Sequence, residues 1–242
     1  MTIERIHQEI KFRLNKLNSN HKQDFPVEYI DDAINKVIND YVEIFYSGNA
    51  MKPYKLGFEI TQQRIDMLAT LVVPEVSLAF TNFDTNIYFG NLGALVTPYK
   101  HFIRGYVIPE ECEKKIPITI TRHNDLDLKL RSTNQQPSLK WERCLGVFKN
   151  NQLFIYTKDF TPDSIYIEYI KQPTKVFYGG YNSLEFINGD ATAYNTVSPK
   201  VTSDIPANYH DLLVDMVVQY LASVIEDENT YNFQREKIQS LI

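Results

Sequence analysis

Arg143-Cys144-Leu145-Gly146-Val147-Phe148-Lys149-Asn150-Asn151-Gln152-Leu153-Phe154-Ile155-Tyr156-Thr157 decides the class of this fold. Two runs of apolar, β-branched and aromatic residues flank a Lys149-Asn150-Asn151 step. Asparagine tolerates the left-handed backbone that a tight hairpin demands, so the stretch reads as two antiparallel strands and their turn. Just downstream, Ser164–Ile170 alternates strictly, with Ile165, Ile167 and Tyr169 on one face and Tyr166, Glu168 and Ile170 on the other. Upstream, Ser77–Phe80, Asn86–Phe89, Phe102–Ile108 and Ile116–Arg122 are short, β-branched and aromatic, and bounded by Pro, Gly, Asn or Asp. Strands at this spacing predict an antiparallel sandwich or barrel-like domain over residues 74–188.

Outside that region the apolar period changes from two to between three and four. Ile3, Ile6, Ile10, Leu14 and Leu17 mark one face of a helix over Thr2–Leu17, which Asn18-Ser19-Asn20 ends. A second helix, Val27–Tyr46, starts after Pro26, a residue suited to a first turn. Its seam of Val27, Ile30, Ile34, Val37, Tyr41 and Ile44 is widened by Ile38 and Phe45, and so broad a stripe predicts more than one neighbour. A shorter helix is expected after Thr61, with Ile65, Leu68, Ala69 and Val72 on its inner face. Near the other end, Ala207–Ile225 carries a stripe of Tyr209, Leu213, Met216, Tyr220 and Val224, broadened by Leu212, Val217 and Leu221. The cluster Glu226-Asp227-Glu228 disfavours a helix C-terminus, so a break is expected there, with a last helical piece near Tyr231–Leu241. The fold expected is α+β: residues 1–73 and 204–242 form one helical docking body, and the β domain is inserted between them. Residues 189–203, rich in Thr, Ser, Ala, Asn and Asp, read as a long loop.

Composition narrows the function. The chain has 242 residues, ample for a core without a metal or disulfide staple. Its 16 Tyr and 14 Phe against 9 Gly suit strands and protein contacts. The net charge of −5 lies wholly in the stretch from Asp204 onward, where seven acids face Arg235 and Lys237. Without a basic excess, tight nucleic-acid binding by one copy is disfavoured. The opening residues lack an apolar signal core and no apolar run has the length of a membrane span, so a soluble protein made in a cytoplasm is expected. Cys112 and Cys144 have no metal-ligand spacing; reduced thiols are the default, with a single pairing left open.

Catalytic patterns are missing. There is no P-loop, dinucleotide fingerprint, nucleophile elbow or zinc-binding helix. His7, His21, His101, His123 and His210 are scattered. Asp125 and Asp127 make the best cluster of oxygen ligands, but Leu128-Lys129-Leu130-Arg131 follows them, and a solvated turn between strands explains them better. The residues therefore point to no enzyme, no cofactor and no metal. An alternative is a carbohydrate- or peptide-binding β-sandwich module with helical flanks, whose aromatic groove would use Tyr88, Phe89, Tyr99 and Trp141. A hydrolase would need metal at Asp125 and Asp127.

Three stretches carry a resemblance. One is Ile3-Glu4-Arg5-Ile6-His7-Gln8-Glu9-Ile10-Lys11-Phe12-Arg13-Leu14-Asn15-Lys16-Leu17 with Phe25-Pro26-Val27-Glu28-Tyr29-Ile30-Asp31 and Ile34-Asn35-Lys36. The second is Ile165-Tyr166-Ile167-Glu168-Tyr169-Ile170-Lys171-Gln172-Pro173, and the third Ile205-Pro206-Ala207-Asn208-Tyr209-His210-Asp211-Leu212-Leu213-Val214. In this order the chain resembles head–tail connector (ring or adaptor) proteins from the neck of short-tailed, crAss-like bacteriophages, and more distantly tail tubular protein A. The resemblance implies a virion structural protein, assembled in the bacterial host cytoplasm. It implies a homo-oligomeric ring, typically a dodecamer, below the portal, which passes DNA toward the tail during ejection. Implied partners are copies of itself, the portal protein, neighbouring neck or tail rings, and phage DNA that slides through without sequence-specific binding; no membrane is involved. Candidate assembly-interface residues are Ile34, Val37, Ile38, Tyr41, Phe45, Tyr209, Leu213, Met216 and Tyr220. A loop that orders on assembly predicts protease cleavage within Gly189–Ser203 of the free subunit and protection in the assembled particle. Equal cleavage in both states would remove that role.

Overall fold

The computed structural model describes residues 1–17, 25–47, 66–180, 185–187, 190–192, 199–224 and 238. The chain is α+β and divides into two compact units, one joining Met1–Leu71 to Pro173–Ile242 and the other comprising Val72–Gln172.

The helical unit contains α1 (Ile3–Leu17), α2 (Val27–Ser47) and α4 (His210–Val224), the last entered through a 3-10 turn at Ala207–Tyr209. The three-and-four spacing of α1 does what it predicts: Ile3, Ile6, Ile10 and Leu14 are buried. In α2 the buried side chains are Ile30, Ala33, Ile34, Val37, Ile38, Tyr41, Val42 and Phe45, a stripe wide enough to need two neighbours. Helix α4 packs against both α1 and α2. Its buried face is centred on Leu213, Val214, Val217, Val218 and Leu221, whereas Met216 and Tyr220 are half-buried and Val224 is exposed. The stripe expected from the sequence is thus rotated from the one observed, because Val214 and Val218 compete equally for the core.

A buried polar junction ties the helices together. The Asp31 carboxylate accepts from His7 Nε2 at 2.8 Å and from the Tyr178 N–H at 2.8 Å. One turn along α2, Asn35 donates to the Val176 carbonyl at 3.0 Å and accepts the Val176 N–H at 2.6 Å. The two side chains act as a short strand would, holding the backbone that leaves the β unit. Phe177 pairs with Val201, and Lys200 bonds Glu4 at 2.5 Å, holding that carboxyl down at about 2. For this reason the boundary falls between Gln172 and Pro173, and residues 173–188, assigned from sequence to the β domain, lie in the helical unit's span.

The β unit is one curled, mixed sheet of eight strands: β1 (Val72–Ser77), β2 (Phe80–Asp84), β3 (Ile87–Asn91), β4 (Tyr99–Pro109), β5 (Ile116–Ile120), β6 (Cys144–Lys149), β7 (Gln152–Tyr156) and β8 (Pro162–Lys171). Their order is β1-β8-β4-β5-β6-β7-β3-β2. The β6–β7 hairpin turns on Asn150 and Asn151, both left-handed at φ 49° and 58°, as its sequence requires. Leu153, Ile155, Ile165, Ile167 and Tyr169 meet Val107, Ile116 and Ile118 in the core that the curl encloses.

Several expectations fail here. The sheet is not purely antiparallel: β5 and β6 run parallel, and α3 (His123–Arg131) makes the crossover between them. Residues 123–127 were expected to form a solvated turn; they begin this helix, whose Leu126, Leu128 and Leu130 mimic strand alternation and which has no fully buried residue. Ser77–Phe80 is not a strand but the junction of β1 and β2, with Leu78 buried in the core. Likewise Val72 opens β1 opposite Ile170 and ends the inner face of the expected third helix, of which Thr61–Ile65 lies outside the described residues. Of the expected loop 189–203, Asp190–Thr192 forms β10 and pairs with β9 (Glu185–Ile187), while 189 and 193–198 lie outside the described residues. The acidic break after Ile225 and the last helical piece lie outside them too, apart from Ile238, which is helical and buried.

Replacing Asp31 with Ala leaves the His7 donor and the Tyr178 N–H without their acceptor, and should lower the unfolding free energy by about 3 kcal/mol. Asp32→Ala, at the exposed neighbour, should change it by less than about 0.5 kcal/mol. Chemical denaturation of both variants reads the difference, and equal midpoints would show that the junction contributes nothing.

Candidate assembly surfaces

An assembly surface has to be accessible, and most of the residues expected to form one are not. Ile34, Val37, Ile38, Tyr41, Phe45 and Leu213 are all buried within their own helical unit, Ile34 and Tyr41 at 0% exposure. They belong to the core of that unit; of the six, Val37 also borders an opening to the surface. Apolar periodicity reports that a face is covered, not whether the cover comes from the same chain. Of the nine, Tyr209, Met216 and Tyr220 keep part of their surface.

Met216 and Tyr220 do come together, on a groove the sequence did not show. With Val37 and Ile44 of α2 they line a hollow of about 220 Å³ between α2 and α4, with Asp40 at its rim. Lys36 Nζ lies 4.3 Å from the centre of the Tyr220 ring. Across α4, Arg13 of α1 bonds Asp211 at 3.0 Å and the buried Asp215. Residues 211 and 215 share one side of the helix, and 216 and 220 another, about 100° or more around the axis. The groove and the α1 seat are therefore separate sides of α4.

The β unit presents two aromatic features. Phe89 and Phe154 are cross-strand partners whose rings stack at 5.7 Å, and Phe83 stands edge-on to both at 6.1 and 5.7 Å. Phe83 is 64% exposed. The second is Trp141, 67% exposed at the tip of the turn Ser138–Arg143. Tyr88 and Phe89, proposed as walls of one aromatic groove, are adjacent on β3 and point to opposite faces, with Tyr88 buried beside Phe80. They cannot line one groove together. Tyr99 packs against Phe148 and Tyr169.

The titratable groups serve the fold. His123 bonds the Phe148 carbonyl at 2.8 Å, and His210 the Ile205 carbonyl at 2.9 Å. Burial pulls His210 below the ordinary imidazole range and pushes the Cys144 thiol well up, which makes that thiol a poor nucleophile. Both cysteines are free. Asp125 and Asp127 sit two apart on α3, so their carboxylates diverge. Among the described residues no three His, Cys, Asp or Glu side chains cluster as a metal site would need. No helix among them is long and apolar enough to cross a membrane.

No protein-family model matches the chain, and a search of curated proteins returns no match.

Core and groove predict opposite responses to charge. Ile34→Asp buries an unpaired carboxylate and should destabilise the free subunit by several kcal/mol. Met216→Lys places its charge at an open rim and should leave the thermal midpoint within a few degrees of wild type. A stable, folded Ile34→Asp subunit would overturn the assignment of Ile34 to the core.

Proposed function

We propose that the chain is a structural subunit of a bacteriophage neck, forming a ring between portal and tail through which DNA passes. The observation that carries this reading is the layout: the two ends of the chain co-fold into one helical unit, and the β unit is inserted between them. The stretches that carry the resemblance to connector proteins fall in that order: the opening helices, the last strand of the β unit and the final helix. Accessible aromatic residues on the β unit and an open groove on the helical unit supply surfaces for assembly.

The role is mechanical. A helical unit locked by buried polar contacts transmits load without rearranging, while the short strands and turns of the β unit offer contact surface. A net charge of −5 suits a wall that DNA slides past, since each phosphate neutralised by a fixed cation adds to retention. The partners in this reading are other copies of the chain, the portal, and the adjoining neck or tail ring. The protein is then found in the virion after assembly in the host cytoplasm, and it acts without catalysis.

Negative-stain microscopy of the purified protein, alone and mixed with its portal, tests this. The expected image is a ring of about twelve copies with a central hole. A chain that stays monomeric with the portal, and is missing from purified virions, would overturn the reading.

A further inference from the structure

Trp141 is the chain's single tryptophan, and its turn holds it outward rigidly. Ser138 and Arg143 exchange two backbone hydrogen bonds of 2.9 and 3.0 Å, and the Glu142 N–H closes on the Leu139 carbonyl at 3.2 Å. Asp159 fastens the base, accepting from Ser138 Oγ at 3.0 Å and from the Leu139 N–H at 2.8 Å. Glu142 is left-handed at φ 47° and bonds Lys114 at 2.9 Å. The charge left beside the indole is Lys140, whose Nζ is 5.5 Å from the ring. A large aromatic exposed on a pre-organised turn loses little freedom on burial, which is the property of an interface anchor.

The α2–α4 groove has the complementary character. Its hollow of about 220 Å³ is below the roughly 300–1,000 Å³ of cofactor and small-molecule sites and suits one large side chain. Met216 offers a thioether, a favourable partner for an aromatic ring; Ile44 and Tyr220 offer apolar surface above the buried Val37; Gln219 and Ser223 add polar edges, and Asp40 an acid, with Lys36 engaged on the outer Tyr220 ring. We infer that Trp141 of one copy seats in the α2–α4 groove of a second copy, with Lys140 facing Asp40. This rests on the reading of the chain as a ring subunit and names the contact. Each copy carries the knob on its β unit and the groove on its helical unit, so the contact, used in one direction from copy to copy, builds a head-to-tail ring.

The single tryptophan reports on its own burial. As the full chain assembles, its emission should move to shorter wavelength. Trp141→Ala and Met216→Lys should each weaken self-association roughly 30-fold, the loss of an anchor worth about 2 kcal/mol, with thermal midpoints near wild type. Lys140→Glu or Asp40→Lys alone should weaken it less, and the two together should regain part of the loss. Mixing Trp141→Ala with Met216→Lys leaves one intact knob and one intact groove, so light scattering should find a 1:1 pair that does not grow. Solvent-like emission in the oligomer, a short-wavelength emission in the monomer, or wild-type assembly by Trp141→Ala would each overturn the contact. A Trp141→Ala chain that still forms rings removes this contact and leaves the neck reading standing. A wild-type chain that forms no oligomer removes the contact, and rings seen with the portal then decide the neck reading separately.

Discussion

The helical unit depends on one buried carboxylate. Asp31 is almost fully shielded from water, and an ion there is tolerable only if its oxygens are satisfied. They are satisfied from two directions, by a side chain of α1 and by the backbone that leaves the β unit. One residue therefore fixes where α1 lies on α2 and where the chain re-enters the helical unit after its last strand. Asn35 repeats the arrangement one turn on, and its amide matches both the donor and the acceptor of Val176. Apolar packing alone would let these segments slide; directional bonds do not.

In the β unit the corresponding constraint is closeness. Gly146 in β6 has no side chain because a Cβ there would lie 2.6 Å from Ile118 Cγ2, across the parallel β5–β6 pair. Gly105 meets a similar limit against the Tyr166 carbonyl of β8. These approaches help the sheet curl around a single core, so that one layer does what two layers do in a sandwich. The crossover through α3 makes the parallel pair possible, and that helix has to lie on the surface because it buries none of its own residues completely.

In the proposed role, contact surfaces matter more than any reactive group. Burial holds the Cys144 thiol protonated, and the described histidines at positions 7, 123 and 210 hold structural partners. Among the accessible aromatic and apolar side chains are the Phe83 cluster, Trp141, and the half-buried Met216 and Tyr220. Surfaces of that kind suit contact with other protein chains.

Among the described residues, the sequence by itself determined the class of the longest periodic helices and of the regular strands. It determined α1 and α2 nearly to their ends, the Asn150-Asn151 turn, and the alternation of β8, because these depend on local backbone preference and on the spacing of apolar residues. It also showed that helical segments bracket strands. Tertiary structure alone decided which apolar residues face inward on α4, that β5 and β6 run parallel, and that residues 173–180 leave the β unit to dock on α2. Those outcomes turn on partners distant in sequence: Asp31 and Tyr178 are 147 residues apart. For the same reason, Ile34 and Ile38 look alike in sequence to interface residues and prove to be core. Periodicity records that a face is covered, and only the fold says by what.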